Sequence, residues 1–227
     1  VLEGRLPGVR VVPSPAWAAA EVDVLVVSVK PGDVVSALEA CAIALPEKAL
    51  VLSIAAGVRI ATLEAAAPGR PVVRAMPNTP AVVGKGAAAI AGGSNTDDSH
   101  LELAERVLGA VGTVVRVPEA QLDAVTGLSG SGPAYVFLVA EAMIEAGVLV
   151  GLPRPTADAL VRQTILGAAT LLGDSEESPE ALRAAVTSPG GTTAAALQAL
   201  ESHGVRAAFL DAVEAATRRS RDSGSGA

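Results

Sequence analysis

The chain of 227 residues is 50% hydrophobic, 18% charged and only 2% aromatic, with a formal net charge of -7. This length and composition are typical of a globular protein with one large domain or two small ones, whereas the negative charge and the scarcity of aromatic rings argue against nucleic-acid binding. The single cysteine, Cys41, excludes an internal disulfide framework and a cysteine-rich metal site, so we expect no metal and a cytoplasmic location.

Short apolar runs alternate with helical stretches from Val22 to about Val117. Their β-branched composition predicts strands, and strands that are apolar on both faces and separated by helices predict a parallel sheet that is covered on both sides. The predicted strands are VDVLVVSV (22–29), ALVLSI (49–54), PVVRA (71–75), AAAIA (87–91) and TVVRV (113–117). Ligands of such sheets bind beyond the carboxyl ends of the strands. Three of the predicted strands run at their carboxyl ends into small, turn-forming segments, SVKPGD, SIAAGV and RAMPNTP.

Strand patterns stop after about Glu119, and long helical patterns replace them. The predicted helices are Pro133–Val150, Pro153–Leu172, Pro179–Val186, Thr193–Ser202 and Val205–Ser220. We therefore predict an α/β domain over 1–118, an all-helical domain over 119–220 and a disordered tail over 221–227. The helices are too apolar to face water on any side, which predicts an obligate dimer. No stretch reaches the roughly 18 uncharged apolar residues that a membrane span requires, so we expect no membrane partner.

Two segments rich in glycine and hydroxyl side chains precede helices in the second half, TGLSGSGPAY (126–135) and SPGGTT (188–193). The first N–H groups of a helix lack intrahelical partners and attract anions. Gly190 and Gly191 would let a ligand approach, while Thr192 or Thr193 could cap the helix or donate a hydroxyl. The loop alone is more typical of an ordinary capped helix than of an anion site.

These two motifs occur together with VSVKP, SIAAGV and VVRAMPNTP in an order and spacing that resemble pyrroline-5-carboxylate reductase over nearly the whole chain. The resemblance implies reduction of a cyclic imine, 1-pyrroline-5-carboxylate, to L-proline, the last step of proline biosynthesis. It also implies NADPH or NADH as cofactor, and a homodimer that can assemble further into a decamer. The first domain would then be a Rossmann-like, mostly parallel sheet, and the helical domain would serve substrate binding and dimerisation.

The resemblance further implies which positions meet the ligands. The cofactor would lie along three segments and one carboxylate: Ser28, Val29, Lys30, Pro31, Ile54, Ala55, Ala56, Met76, Pro77, Asn78 and Glu119. The substrate would be held by Ser129, Ser188, Gly190, Gly191, Thr192 and Thr193. Thr193 would reach the imine nitrogen. From the residues alone, Lys30 is equally consistent with a solvated surface residue, and Glu119 with an ordinary carboxylate at a helix start.

The sequence departs from the family's pattern at its beginning. The first strand and the Gly-rich turn that cradles the pyrophosphate in such domains are not in this sequence, and Pro15 stands where many relatives have an asparagine near the adenosine. Two alternatives therefore stay open. A β-hydroxyacid-dehydrogenase-like oxidoreductase would need a helix-borne lysine, but all three lysines precede the helical half. A non-catalytic dimeric scaffold is the other alternative.

The chemistry of an imine also limits the residues that the site requires. Its nitrogen can be protonated before hydride arrives, so the site does not depend on a positioned histidine or lysine acid. The two histidines, His100 and His203, lie in polar segments, which argues against a Ser-His-Asp hydrolase. We therefore expect no histidine titration to govern the pH profile.

Overall fold

The computed structural model describes residues 8–224. The strands are β1 Val24–Val27, β2 Leu50–Ser53, β3 Val72–Met76, β4 Gly86–Gly92 and β5 Gly112–Arg116. The helices among and directly after the strands are α1 Pro15–Ala19, α2 Val34–Ala42, α3 Ile60–Ala66, α4 Asp98–Gly109 and α5 Leu122–Val125. The later helices are α6 Gly132–Leu149, α7 Arg154–Asp174, α8 Pro179–Ala185, α9 Thr192–Ser202 and α10 Val205–Gly224. Each predicted strand and each predicted long helix is present, which confirms the predicted fold class.

The strands form one sheet in the order β1-β2-β3-β4-β5. Neighbouring strands run parallel except β3 and β4, which are antiparallel. Only a short connection with a 3-10 turn, Thr79–Val83, joins β3 to β4. A parallel pair needs a crossover of about a dozen residues or more, so this connection forces the chain to return antiparallel.

The sheet is covered on both faces, as its apolar strands predict. Leu50 and Leu52 of β2 belong to one buried cluster with Leu108 of α4. Val51, which points to the opposite face because side chains alternate along a strand, belongs to a second cluster with Leu38 and Leu63 of α2 and α3. The central strands are therefore the core of this part of the chain.

The chain divides into two compact units. One comprises the described residues up to Ser131 together with the segment from Val213 onward, and the other comprises Gly132–Ala212. The change of unit thus falls after Ser131, whereas the sequence places a domain boundary after residue 118. Residues 119–131 are grouped with the sheet.

The end of α10 corrects one prediction. Residues 221–224 continue the helix instead of forming part of a disordered tail, and residues 225–227 lie outside the described residues. The reason is a tertiary contact, because Ser220 Oγ donates a hydrogen bond of 2.8 Å to the buried Asp123 Oδ1. This contact anchors the last turns of a segment whose composition alone predicts disorder.

The helical unit carries large exposed apolar surfaces on α6 and α7. Phe137 and Leu138 are 63% and 65% exposed, and no residue of α6 is buried. Among the described residues, the helical stretch Glu119–Leu149 is long and apolar enough to cross a membrane by length and composition alone. That differs from the sequence expectation, although Glu141 and Glu145 interrupt the stretch.

Candidate active site

The predicted cofactor segments meet at one edge of the sheet. Ser28–Pro31 follows β1 and Ile54–Ala56 follows β2, and since these two strands are parallel neighbours their carboxyl ends lie side by side. A groove of about 400 Å³ opens there. It is lined by Pro31, Ala56, Gly57, Thr126, Ser131, Ala216, Arg219, Ser220 and Ser223. Gly57 adopts a positive φ of 78°, which a side chain would oppose. Backbone and small side chains thus form the sheet side of the groove.

The turn after β3 joins two parts of the predicted site. Asn78 Nδ2 donates to the carbonyl oxygen of Ser129 at 3.0 Å. Its Oδ1 accepts from the backbone N–H of Ala87 at 2.8 Å. Met76 reaches the same segment, since a Cβ added to Gly130 would lie 2.8 Å from Met76 Cε. The structure therefore brings Met76 and Asn78, predicted to lie beside the nicotinamide, against Ser129, predicted to hold the substrate.

The segment that contains Ser129 differs from its prediction. The sequence suggests a Gly- and Ser-rich turn, but Thr126–Gly130 is a π-helical turn that connects α5 to α6. Ser131 N–H donates to the carbonyl of Thr126, five residues earlier, at 2.9 Å. The hydroxyl of Ser129 donates to Val125 O at 3.2 Å. Short π-helical turns are rare and concentrate at functional sites.

Gly127 occupies a position in this turn where a larger residue does not fit. A Cβ at Gly127 would lie 2.8 Å from the carbonyl oxygen of Val213 and would collide with the hydroxyl of Thr217, both on α10. Only glycine allows this close approach. The turn is therefore held between α10 on one side and the β3–β4 connection on the other.

The predicted substrate loop, Ser188–Thr193, belongs to the helical unit. Gly190 has a positive φ of 69°, and Gly191 N–H donates to Ser188 O at 3.0 Å. Gly191 is the N-cap of α9, and no side chain caps this helix. The interpretation in which Thr192 or Thr193 caps the helix is therefore wrong. The first amides of α9 remain available, which is the condition for binding an anion there.

The chain resembles known proteins over nearly its full length. Residues 119–223 match the family described as pyrroline-5-carboxylate reductase dimerisation. The pyrroline-5-carboxylate reductase of Synechocystis is 47% identical over 216 residues, which are 95% of this chain and 80% of that protein. The chain belongs to the pyrroline-5-carboxylate reductase family. The enzyme of that name from Arabidopsis thaliana is 41% identical over 215 residues, or 95% of this chain and 78% of that protein.

Solved structures of this family share the fold. A pyrroline-5-carboxylate reductase from Coxiella burnetii superposes with a TM-score of 0.91 at 40% identity, covering 95% of this chain and 81% of that one. The Plasmodium falciparum pyrroline carboxylate reductase with NADP bound superposes with a TM-score of 0.83 at 33% identity, covering 94% of this chain and 81% of that one. Membership of this reductase family decides against the β-hydroxyacid-dehydrogenase alternative.

Glu119, which is predicted to contact the cofactor, forms hydrogen bonds to other residues of the protein. One carboxylate oxygen accepts from Arg74 Nη1 at 3.0 Å and from the backbone N–H of Ile60, at the start of α3, at 2.7 Å. Arg74 is only 3% exposed, so its guanidinium requires this anionic partner. Glu119 is thus a structural ion-pair partner in this reductase, and its contact with the cofactor stays a prediction.

Sequence reasoning missed a second buried ion pair. Asp123, 2% exposed, accepts from Arg59 Nη2 at 2.9 Å through Oδ2 and from Ser220 through Oδ1. Arg59 is the N-cap residue of α3. The pair therefore connects α3, α5 and α10 beside the groove. A charged residue inside an apolar strand, as in PVVRA, was a signal for the Arg74 pair, but nothing local distinguishes Asp123 from an exposed aspartate.

Proposed function

We propose that this protein reduces 1-pyrroline-5-carboxylate to L-proline with NADPH or NADH, the last step of proline biosynthesis. The observation that carries the proposal is 47% identity to a pyrroline-5-carboxylate reductase across 95% of the chain. The geometry agrees with it, because the sheet supplies a groove at its carboxyl edge and α9 begins with uncapped amides. The roles of individual residues below are part of the proposal.

The sheet edge fits a dinucleotide. Exposed residues follow β1 at Ser28–Pro31, and Ala56 and Gly57 line the groove beside β2. These segments and Met76–Asn78 would hold the cofactor, which supplies hydride when bound. The Plasmodium falciparum relative, whose structure has NADP bound, supports this assignment. Within residues 8–224 no cluster of ligating side chains suits a metal ion, and the proposed reaction needs none.

The start of α9 suits the carboxylate of the substrate. The loop Ser188–Thr193 holds no charged residue, so its donors are backbone N–H groups at the positive end of the helix dipole and the hydroxyls of Ser188, Thr192 and Thr193. A neutral loop is favourable because a cation beside the ring would oppose the iminium form, which is the better hydride acceptor. Thr193 would orient the imine nitrogen, and the loop would contribute mainly orientation.

We also propose a homodimer formed through the helical unit, able to assemble into a decamer, in the cytoplasm and without a membrane partner. The match of residues 119–223 to a dimerisation family supports the dimer. So do the exposed apolar side chains of α6 and α7, which water would otherwise contact. The proposal of a cytoplasmic location rests on the single cysteine, Cys41, which is consistent with a reducing compartment.

The test is a direct assay of the purified protein with pyrroline-5-carboxylate and, separately, NADPH and NADH. We expect loss of nicotinamide absorbance together with formation of proline measured by chromatography. An open-chain 2-keto acid is the control substrate, and we expect it to react far more slowly because it must be protonated as an alkoxide. Cofactor binding without proline formation would favour the scaffold alternative. Equal rates with both substrates would contradict the assignment to an imine.

A further inference from the structure

Pro133 leaves one helical carbonyl without its usual donor. In an α-helix the N–H of a residue donates to the carbonyl four residues earlier, and proline has no N–H. The residue four before Pro133 is Ser129, at the π-helical turn between α5 and α6. The carbonyl of Ser129 therefore depends on a donor from elsewhere, because leaving it unpaired in a half-buried position is unfavourable.

Asn78 supplies that donor from the β3–β4 connection. Its Nδ2 lies 3.0 Å from Ser129 O, and its Oδ1 lies 2.8 Å from the N–H of Ala87. The chemistry of the two partners determines the orientation of the amide, since a carbonyl can only accept and a backbone N–H can only donate. Aspartate could accept from Ala87 but could not donate to Ser129. Asparagine matches both partners.

The second hydrogen-bond partner of Asn78, Ala87, belongs to the sheet. Ala87 lies in β4, which pairs with β3 on one side and with β5 on the other. Asn78 thus connects a paired strand to the π-helical turn, and Met76, two residues earlier, lies against Gly130 of the same turn. The spacing between the end of β3 and the backbone at Ser129 depends on this amide.

We propose that Asn78 is a positioning residue for hydride transfer, which acts by donating to the Ser129 carbonyl that Pro133 leaves unpaired. The inference rests on the proposed function, in which Met76–Asn78 lies beside the nicotinamide and Ser129 beside the substrate. The amide sets the separation of the hydride donor from its acceptor. Without this amide the separation is less well defined, so the rate of the chemical step falls. The surfaces that bind the cofactor and the substrate stay in place.

The experiment compares Asn78→Ala and Asn78→Asp with the unmodified enzyme in steady-state reduction of pyrroline-5-carboxylate. We expect kcat to fall about ten- to a hundredfold in both variants, with less than about a threefold change in the KM for NADPH. Asn78→Asp should be at least as slow as Asn78→Ala, because a carboxylate oxygen faces a carbonyl oxygen in place of a donor.

A second substitution tests the mechanism of positioning. Pro133→Ala restores an N–H four residues after Ser129 but no contact with β4, so we expect Asn78→Ala with Pro133→Ala to keep the low kcat of Asn78→Ala. Pro133→Ala alone should change kcat by less than about threefold. Hydrogen exchange gives a readout independent of activity. The amide of Ala87 should exchange about tenfold faster or more in Asn78→Ala, while amides of β1 and β2 should not change.

The outcomes separate this inference from the proposed function. Failure of the unmodified enzyme to form proline would overturn the function, whereas the exchange rate of Ala87 would still report on the hydrogen bond. A rise in the KM for NADPH with unchanged kcat would overturn the inference and make Asn78 a direct cofactor contact. Recovery of kcat in Asn78→Ala with Pro133→Ala would also overturn it, since pairing the Ser129 carbonyl within the helix would then suffice without a contact to β4.

Discussion

Thr193 is the second residue of α9 and is half-buried, and among residues 8–224 no hydrogen bond of its hydroxyl is observed. The hydroxyls of Ser188 and Thr192 also show no hydrogen bond among these residues, but both residues are exposed, whereas Thr187 Oγ1, just before the loop, donates to Arg183 O at 2.6 Å. Since a half-buried hydroxyl usually finds a partner, the hydroxyl of Thr193 is the one in this loop best able to serve a ligand.

Thr193→Ala should lower the rate of imine reduction more than it weakens cofactor binding. A lost hydrogen bond costs about 0.5–1.5 kcal/mol, or up to about 3 kcal/mol with a charged partner, so we expect roughly a three- to hundredfold loss of kcat/KM. Thr193→Ser, which keeps the hydroxyl, is the control and should retain most of the activity. Kinetics of Thr193→Ala equal to those of the parent would mean that the loop acts through its backbone alone.

Both histidines lie at helix ends. His100 closes a capping box at the start of α4, where its Nδ1 accepts from the backbone N–H of Asp97 at 3.2 Å. His203 is the exposed C-cap of α9. Neither belongs to the predicted site residues.

The variant with both His100→Gln and His203→Gln should therefore show the parent's pH profile for imine reduction from about pH 6 to about pH 9. Activity would be compared at each pH after circular dichroism has shown that the variant is folded. A collapse of rate in the folded variant, or the disappearance of an inflection near the ordinary pKa of histidine, would show that a histidine is the acid.

At the scale of elements, the start of α4 shows how a cap links stability to pH. Asp97 is the N-cap, and its carboxylate accepts from Ser99 Oγ at 2.6 Å and from His100 N–H at 3.1 Å. The hydrogen bond from Ser99, followed by that from the His100 backbone, lowers the pKa of Asp97 below its ordinary value. The charged form is thus favoured in the folded protein.

Because the folded pKa is lowered, the contribution of Asp97 to stability is present above its unfolded value, near pH 4, and is lost as the pH falls through the folded value. Asp97→Asn keeps a capping acceptor but does not titrate. We expect the parent to melt about 2–4 °C above Asp97→Asn at pH 6. The two melting temperatures should converge toward pH 3, where the contribution of Asp97 is lost. Scanning calorimetry across this range is the measurement, and a constant difference would contradict the assignment.

At the scale of the whole molecule, the helical unit of a single chain exposes a large apolar surface to water. α6 and α7 line a groove of about 460 Å³ between them, with Phe137, Ile144, Ile165 and Leu166 in its walls. An aromatic side chain that is 63% exposed beside such a groove is typical of a subunit interface. Burial against a second subunit would remove this surface from water.

Phe137→Asp should weaken self-association, because it places a charge in the apolar interface that we propose. The matched control is Val82→Asp, on a 91% exposed residue of the β3–β4 connection, which should leave association unchanged. We expect at least about a tenfold rise in the dimer dissociation constant for Phe137→Asp alone. Sedimentation at several concentrations is the measurement. A parent protein that is a stable monomer at micromolar concentration would contradict the dimer.

The sequence by itself determined the alternation of strands and helices, the family and the positions of the motifs that we predict to bind ligands. These depend on local patterns, since apolar periodicity and glycine-rich turns act over a few residues. The candidate site could likewise be located by motif, so Ser28–Pro31 and Ile54–Ala56 were expected beside each other once their strands were expected to be parallel neighbours.

Only the tertiary structure decided the contacts between residues that are distant along the chain. Arg59 and Asp123 pair across 64 positions, and Ser220 and Asp123 across 97, and the latter contact orders the end of α10 that composition predicts to be disordered. The π-helical turn and the contact between Asn78 and Ser129 could not be predicted for the same reason. A proline removes a donor locally, but which side chain replaces that donor depends on the packing of the sheet against the turn.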